Sequence, residues 1–363
     1  LHFTIHSFPT RRSSDLLVTQ LSDHSEVSRE DALADLRHCA LNHVTADELR
    51  AGARERAEVY VPEETPREDI CRADLRALSL LKAPSGAHIA GPEFDPFFAH
   101  SGGYGYTWFR DDSEVARHLL EADQAFELDV RDQLTTSAQF FVDTQLDDGS
   151  WPHRSWAADG SIAPGWAHAR VEKSKKPEYQ ADQTASVLTY LSTLLRTRRD
   201  DLDDELAGEI QRTLSDGVEA LDETLDDYGL PEECQNLWEN MVGQFTHTTA
   251  TYLQAYSAVA RAPVRDELRE HAASQADVVF EGLEELWSSK TETYALRLRG
   301  NDFDTRLDSG TFALVDAFTE YDALDDLSET HVDRLVAHVE QTLDGLYRDV
   351  GHSNVEGLIR FEE

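Results

Sequence analysis

Lysine is nearly missing from these 363 residues: Lys82, Lys173, Lys175, Lys176 and Lys290 are all there is, and arginine supplies the rest of the 33 basic side chains. Against them stand 71 aspartates and glutamates, giving a formal net charge of -38. A surface of that sign repels phosphates, which excludes nucleic acid as a partner. Cysteine is scarce too. Cys39, Cys71 and Cys234 are odd in number and widely spaced, with no C-x-x-C pair. This argues for incidental thiols in a reducing, cytoplasmic setting, with no metal site and no cofactor implied. No apolar run approaches the ~20 residues of a membrane helix, so no membrane partner is expected. With 40% hydrophobic residues the chain still buries a core, which excludes disorder. An acidic, lysine-poor, globular composition fits life in salt, where a screening length of ~3 Å at 1 M suppresses self-repulsion.

Residues 1–16 stand apart. Ser7-Phe8-Pro9-Thr10-Arg11-Arg12-Ser13-Ser14-Asp15-Leu16 resembles the translation of a sequencing-library adapter, not a folding segment. Residues 17–60 read as a helical linker, with cap signals at Ser28-Arg29-Glu30-Asp31 and Thr45-Ala46-Asp47-Glu48. From 61 to 363 the pattern becomes regular. Thr65-Pro66-Arg67-Glu68 opens a helix, with a cap and a proline in the first turn. Helices then follow over 115–124, 130–145, 181–195, 202–225, 245–260, 264–287, 311–318 and 332–346. Some are apolar almost all round, as in 245–260. Others carry one apolar stripe, as in 202–225 with Leu206, Ile210, Leu214, Val218 and Leu221. Alternation of the two kinds predicts two concentric layers of helices in an all-α fold. Pairs recurring every ~50–60 residues are the mark of a solenoid or a closed toroid.

Two stretches carry chemistry. Gly102-Gly103-Tyr104-Gly105-Tyr106-Thr107-Trp108-Phe109-Arg110-Asp111-Asp112 packs glycines, aromatics, an arginine and two carboxylates together. Aromatic faces suit sugar rings, and an adjacent Arg-Asp pair offers donors and acceptors to hydroxyls. The plainer alternative is a glycine-rich turn into a helix capped by Asp111 or Asp112. The second stretch runs from Leu230 to Asn240, ahead of the most apolar helix. Burial of Glu239 beside Leu237 and Trp238 would disfavour its charged form and raise its pKa, as a general acid requires. Its plainer alternative is a cap for the next helix. Most tryptophans (Trp108, Trp151, Trp156, Trp166, Trp238) fall in long loops on one side of the helix pairs, which suggests a carbohydrate cleft.

Together with Leu78 to Lys82, Gly86-Ala87-His88-Ile89-Ala90-Gly91-Pro92-Glu93, Asp148-Gly149-Ser150-Trp151 and Gln180-Ala181-Asp182-Gln183-Thr184-Ala185, these stretches make the chain resemble the glucoamylase family of inverting glycoside hydrolases, glycoside hydrolase family 15. The motifs keep the family's order from Thr65 onward. The resemblance implies an (α/α)6 barrel of six inner and six outer helices. It implies Glu239 as general acid, Arg110 and Asp111 holding hydroxyls of the terminal glucose, and Trp108 and Trp238 walling the pocket. Gln180, Asp182 and Tyr106 are expected to bind substrate as well; the alternative for Gln180 and Asp182 is capping the helix at Ala181. The substrate implied is an α-glucan or maltooligosaccharide, cut exo-wise to release glucose. Trehalose or an α-1,6-glucan is the nearest alternative, and a non-catalytic glycan-binding toroid or a protein-binding solenoid the more distant ones. The chain departs from the family in two ways. Asn240 stands where many members carry a second glutamate. About nine helices are counted from Thr65 where the barrel has twelve, and the family's general base has no counterpart. The expectation is therefore a barrel incomplete at its C-terminal end and inactive as written.

Overall fold

The computed structural model describes residues 2–6, 17–21, 28–42, 45, 47, 50–52, 54, 59–63, 65–91, 104–163, 180–350 and 355–362. The chain divides into two compact units between Tyr60 and Val61. In the first, strand β1 (His2–His6) pairs antiparallel with β2 (Leu17–Leu21), and helix α1 spans Arg29–Asn42. Ser28 caps α1, its Oγ accepting the Asp31 N–H at 3.1 Å. The second cap signal, at 45–48, lies largely outside the described residues.

The second unit is all-α, of the (α/α)6-barrel class. Its described helices are α2 (Glu68–Leu81), α3 (Phe109–Phe126), α4 (Arg131–Thr144), α5 (Asp182–Thr197), α6 (Asp204–Asp222), α7 (Thr246–Arg261), α8 (Asp266–Gly282), α9 (Ala313–Asp322) and α10 (Glu329–Leu346). Helices α3, α5, α7 and α9 form the inner layer, each packed on the next. Helices α6 and α8 pack outside them. Burial follows the sequence pattern. In α7 every residue from Thr246 to Val259 is buried, whereas α6 buries one stripe that includes Leu206, Ile210, Leu214 and Val218. Inner helices tolerate hydroxyl residues because the hydroxyls bond back to the preceding turn: Thr189 Oγ1 donates to the Ala185 carbonyl at 3.0 Å, and Thr249 Oγ1 to that of Phe245 at 2.9 Å.

Two boundaries differ from expectation. Helix α2 begins at Glu68 because Arg67 is left-handed (φ 55°), so Thr65 does not cap it. Helix α3 begins at Phe109, well before 115, because Trp108 ends a short strand and Phe109 is wholly buried. Arg110, Asp111 and Asp112 therefore occupy its first turn, and none of them caps it. Short strands also line one end of the helices: β3 (Thr107–Trp108) with β4 (Arg154–Ser155), and the four-stranded order β8 (Asp302–Asp304), β7 (Arg297–Arg299), β6 (Val242–Phe245), β5 (Cys234–Gln235). At two to four residues each they are too short to show an alternating pattern.

The loops at this end are braced by a repeated turn. Gly149 (φ 79°) and Gly229 (φ 78°) each press against the next outer helix. A Cβ at Gly149 would collide with the Asp216 carbonyl oxygen of α6, and one at Gly229 with that of Val278 in α8.

Candidate active site

Four loops at this end of the inner helices converge on Glu239. Strand β3 pairs with β4 in the register Trp108↔Arg154, which brings His153 beside the Trp108 indole. Strands β5 and β6 form a hairpin whose tip holds Trp238 and Glu239. Asn236, buried at 1% exposure, shapes that tip. Its Oδ1 accepts the backbone N–H groups of Asn240 and Met241, both at 3.0 Å, and its carbonyl accepts that of Glu239 at 2.9 Å. Glu239 is thereby held left-handed, at φ 60°. A non-glycine residue in that region stores strain of about 1–3 kcal/mol, and such strain gathers at functional sites.

The Glu239 carboxyl sits in a triangle of polar atoms. Trp108 Nε1 lies 2.7 Å from Oε1, His153 Nε2 lies 2.9 Å from the same oxygen, and the two nitrogens are 3.2 Å apart. With the imidazole proton on Nε2, both N–H groups donate to Oε1 and fill its two lone pairs. Oε2 has no hydrogen-bond partner among the described residues and is the oxygen left for a ligand. The raised pKa expected for Glu239 is not found. Burial pushes it up, but the His153 hydrogen bond and charge, the Arg110 guanidinium and the Trp108 hydrogen bond outweigh burial and hold it below the ordinary value.

Arg110 anchors the other side. Its Nη1 donates to Gln180 Oε1 and to Asp182 Oδ2, each at 3.0 Å, and its Nη2 meets Asp111 Oδ2 at 3.2 Å. Burial opposes its charge, but Asp182 and Asp111 win, so its pKa is raised. Gln180 in turn donates to the Asn236 carbonyl at 2.9 Å, tying the arginine to the hairpin that carries Glu239. Asp182 is wholly buried, with His247 Nδ1 at 3.7 Å from Oδ2.

Between Glu239 and Arg110 lies a cavity of about 290 Å³. Trp108, Trp238 and Tyr104 supply its aromatic walls, and Asp111 and Arg360 further polar groups. A cavity of about 540 Å³ adjoins it, sharing Arg110, Asp111 and Leu237, and a separate one of about 460 Å³ is bordered by His153 and Gln180. Of the residues singled out in the sequence, Trp108, Arg110, Asp111, Trp238 and Glu239 share the smallest of the three. Gln180 and Asp182 stand behind Arg110 and bind it, and neither caps α5. Tyr106, 4% exposed, packs edge-on to Trp108 and Trp156 and does not line this cavity. Glu239 caps no helix, since α7 starts at Thr246 without a side-chain cap. Gly102, Gly103 and Trp166 lie outside the described residues. Two members of the site escape sequence reasoning. His153 is a lone histidine in a loop, and the Arg360 guanidinium stands over the Trp238 ring at 5.5 Å.

Cys234, in β5, lies close by but is buried, and burial pushes its thiol up to about 12, so it is a packing residue. No helix among the described residues is long and apolar enough to cross a membrane.

The family model described as Glycosyl hydrolases family 15 matches residues 70–363. No curated protein matches the sequence. Among solved structures, a glycosidase variant in complex with glucose superposes with a TM-score of 0.56 at 16% identity, over 81% of this chain and 72% of that one. A bacterial glucoamylase complexed with acarbose gives 0.56 at 16% identity, over 95% of this chain and 49% of its own. A sugar epimerase from a ruminal bacterium gives 0.55 at 9% identity, over 82% and 74%. At these identities the likeness is one of fold.

Proposed function

Because the chain belongs to the glycosyl hydrolases of family 15, we propose that it removes single glucose units from the non-reducing ends of α-glucans, with inversion at the anomeric carbon. The observation that carries this reading is the setting of Glu239: it lines a cavity the size of a small-ligand site, its Oε1 is tied down by Trp108 and His153, and its Oε2 has no partner among the described residues. Protonated on Oε2, Glu239 is the general acid that delivers a proton to the glycosidic oxygen as the bond to the anomeric carbon breaks. Trp108 and Trp238 present flat apolar walls to the faces of a sugar ring. Arg110 and Asp111 offer a fixed donor and acceptor pair to its hydroxyls. Gln180 and Asp182 hold Arg110 in place, and Tyr106 packs against Trp108.

An inverting enzyme also needs a carboxylate about 6.5–9.5 Å away to activate water on the opposite face. Among the described residues the carboxylates on this cavity are Glu239 and Asp111, and Asp111 is committed to Arg110. It is read as a hydroxyl acceptor, which leaves the base unassigned. Because Glu239 is held as an anion in the empty site, its proton must arrive at acid pH or with the substrate. A sugar filling the cavity displaces water from Oε2 and adds to the burial that favours the protonated form.

The test is Glu239→Gln, assayed for glucose release from maltooligosaccharides, isomaltooligosaccharides and trehalose, with product anomer and ligand binding read in parallel. Turnover should fall by about 10²–10⁴-fold while binding persists. Full activity in the variant would remove Glu239 from the mechanism, and preference for trehalose or an α-1,6 bond would move the substrate to the runner-up class.

A further inference from the structure

His153 bonds the same oxygen of Glu239, Oε1, that Trp108 holds. It is nearly enclosed, as is its partner, with side-chain exposures of 8% and 10%. Its other nitrogen, Nδ1, is buried and has no partner among the described residues, so no neighbour fixes the tautomer from behind. Among the described residues the imidazole is oriented by Glu239 and by the edge-on packing of Trp108. Trp108 and His153 thus present two ring nitrogens to one carboxyl oxygen.

We propose that His153 is a positioning residue for the general acid: by occupying Oε1 it directs the catalytic proton to Oε2 and sets how readily that proton is given up. The proposal rests on the reading of Glu239 as the acid. Trp108 and His153 together saturate Oε1, so a proton arriving at the carboxyl has only Oε2 to occupy. That is the oxygen with no hydrogen-bond partner among the described residues. When the proton leaves for the glycosidic oxygen, the negative charge that remains is met at once by two N–H donors already in place. The acid is thereby made stronger, at the expense of the fraction protonated in the empty site.

The other charged groups around Glu239 act differently. Arg110, from the first turn of α3, adds a positive charge but donates its hydrogen bonds to Gln180, Asp182 and Asp111. Asp111 is the acceptor on that side. Arg360 and Asp308 bear on the neighbouring Trp238 ring, the first from above and the second at its N–H. None of these groups bonds the carboxyl directly, as His153 does.

The experiment compares wild type, His153→Gln and His153→Phe. Glutamine keeps an N–H donor but cannot be charged; phenylalanine keeps the ring shape and loses the donor. The pH dependence of kcat/KM on a maltooligosaccharide gives the falling alkaline limb, where the free enzyme loses the acid's proton. In His153→Phe that limb should move to higher pH by about one unit or more, since a charge-assisted donor to the anion is gone. In His153→Gln it should move less, and kcat at low pH should fall less than in the phenylalanine variant. A second readout needs no turnover. A glucose-configured imino sugar, whose ring ammonium pairs with a carboxylate, should begin to bind tightly at higher pH in His153→Phe than in wild type. At a pH below both onsets its affinity should weaken about tenfold for every pH unit by which the onset has moved. A limb and a binding onset that stay put in two folded variants, while Glu239→Gln is inactive, overturn this proposal alone. Retained turnover in Glu239→Gln overturns the assignment of the acid, and this proposal with it.

Discussion

Asp308 Oδ1 accepts the indole N–H of Trp238 at 2.9 Å and the backbone N–H of Gly310 at 2.8 Å. One buried carboxyl thus fixes both the turn ahead of the inner helix α9 and the aromatic wall beside Glu239. Burial dominates its ionisation and lifts its pKa to about 6, against the Gly310 and Trp238 hydrogen bonds and the nearby Arg306 and Arg360.

That lift has a sign in stability. A carboxyl whose folded pKa exceeds its unfolded value, near 4, contributes stability fully present below the unfolded value and lost as pH rises through the folded one. For Asp308 the window runs from about 4 to about 6. A gap of that width corresponds to at most about 3 kcal/mol. Asp308→Asn should therefore gain on wild type in thermal stability between pH 4.5 and 7.5, when the two are compared at each pH. An equal difference at both ends would show that Asp308 titrates no differently in the folded chain.

Arg110 is the link between sugar site and scaffold, and lysine cannot replace it. Its Nη1 serves Gln180 and Asp182 together while Nη2 serves Asp111. A single ammonium reaches at most part of this set, although it keeps the charge. Arg110→Lys should lower kcat/KM by about 10²-fold and folding stability by about 1–3 kcal/mol. Arg110→Ala leaves Asp182 buried and unpaired and should cost about 3–5 kcal/mol. Steady-state kinetics with denaturant unfolding on both variants separates the two effects, and near-normal kinetics in the lysine variant would remove Arg110 from sugar binding.

Asn236 tests whether hairpin geometry matters apart from sugar contact. Asn236→Ala strips two backbone N–H groups, those of Asn240 and Met241, of their acceptor. Each such loss costs about 1–3 kcal/mol when buried. Because Asn236 does not line the cavity, kcat should fall about tenfold or more through misplacement of Glu239, with KM changing less. Asn236→Asp, which keeps the acceptor, should recover most of both. A loss confined to KM would show that Asn236 meets the substrate instead.

What can be read from the sequence tracks the range of each cause. The layering of α5, α6, α7 and α8 is visible because burial on all sides and burial on one stripe leave different periodicities within a single helix. Trp108, Arg110 and Asp111 are visible because they adjoin one another, as are Trp238 and Glu239. The start of α3 at Phe109 is not, because it depends on β3 pairing with a strand more than forty residues away. The ionisation of Glu239 is hidden for the same reason. Leu237 and Trp238, its sequence neighbours, argue for a raised pKa. His153, 86 positions distant, and Trp108, 131 positions distant, reverse it. A lone histidine in Asp148-Gly149-Ser150-Trp151-Pro152-His153 announces nothing until the strands pair.

The composition makes the last prediction. The chain has 71 acidic side chains for 33 basic ones, so at least 38 carboxylates lack a cation of their own. The arginines present are shared further: Arg117 alone serves Glu114, Glu121 and Asp316, whereas Arg196 and Arg261 both converge on Glu320. Local pairs therefore satisfy few acids, and the excess is spread over solvent-facing stripes such as that of α6, where Glu205, Asp216 and Glu219 are exposed. At ~0.1 M salt the screening length of about 10 Å lets neighbouring residues on such a stripe repel, and at ~1 M it shrinks to about 3 Å. Salt also weakens the exposed ion pairs, but those contribute only about 0–1 kcal/mol each, and the uncompensated charges outnumber them. Melting temperature should therefore climb from ~0.1 M to ~1 M KCl and keep climbing beyond. A triple variant, Glu205→Lys, Asp216→Lys and Glu219→Lys, relieves the repulsion without salt. It should melt higher than wild type at low salt and close to it at high salt. A melting temperature indifferent to KCl, or a triple variant whose advantage survives molar salt, would show that the acidic excess is not what salt acts on.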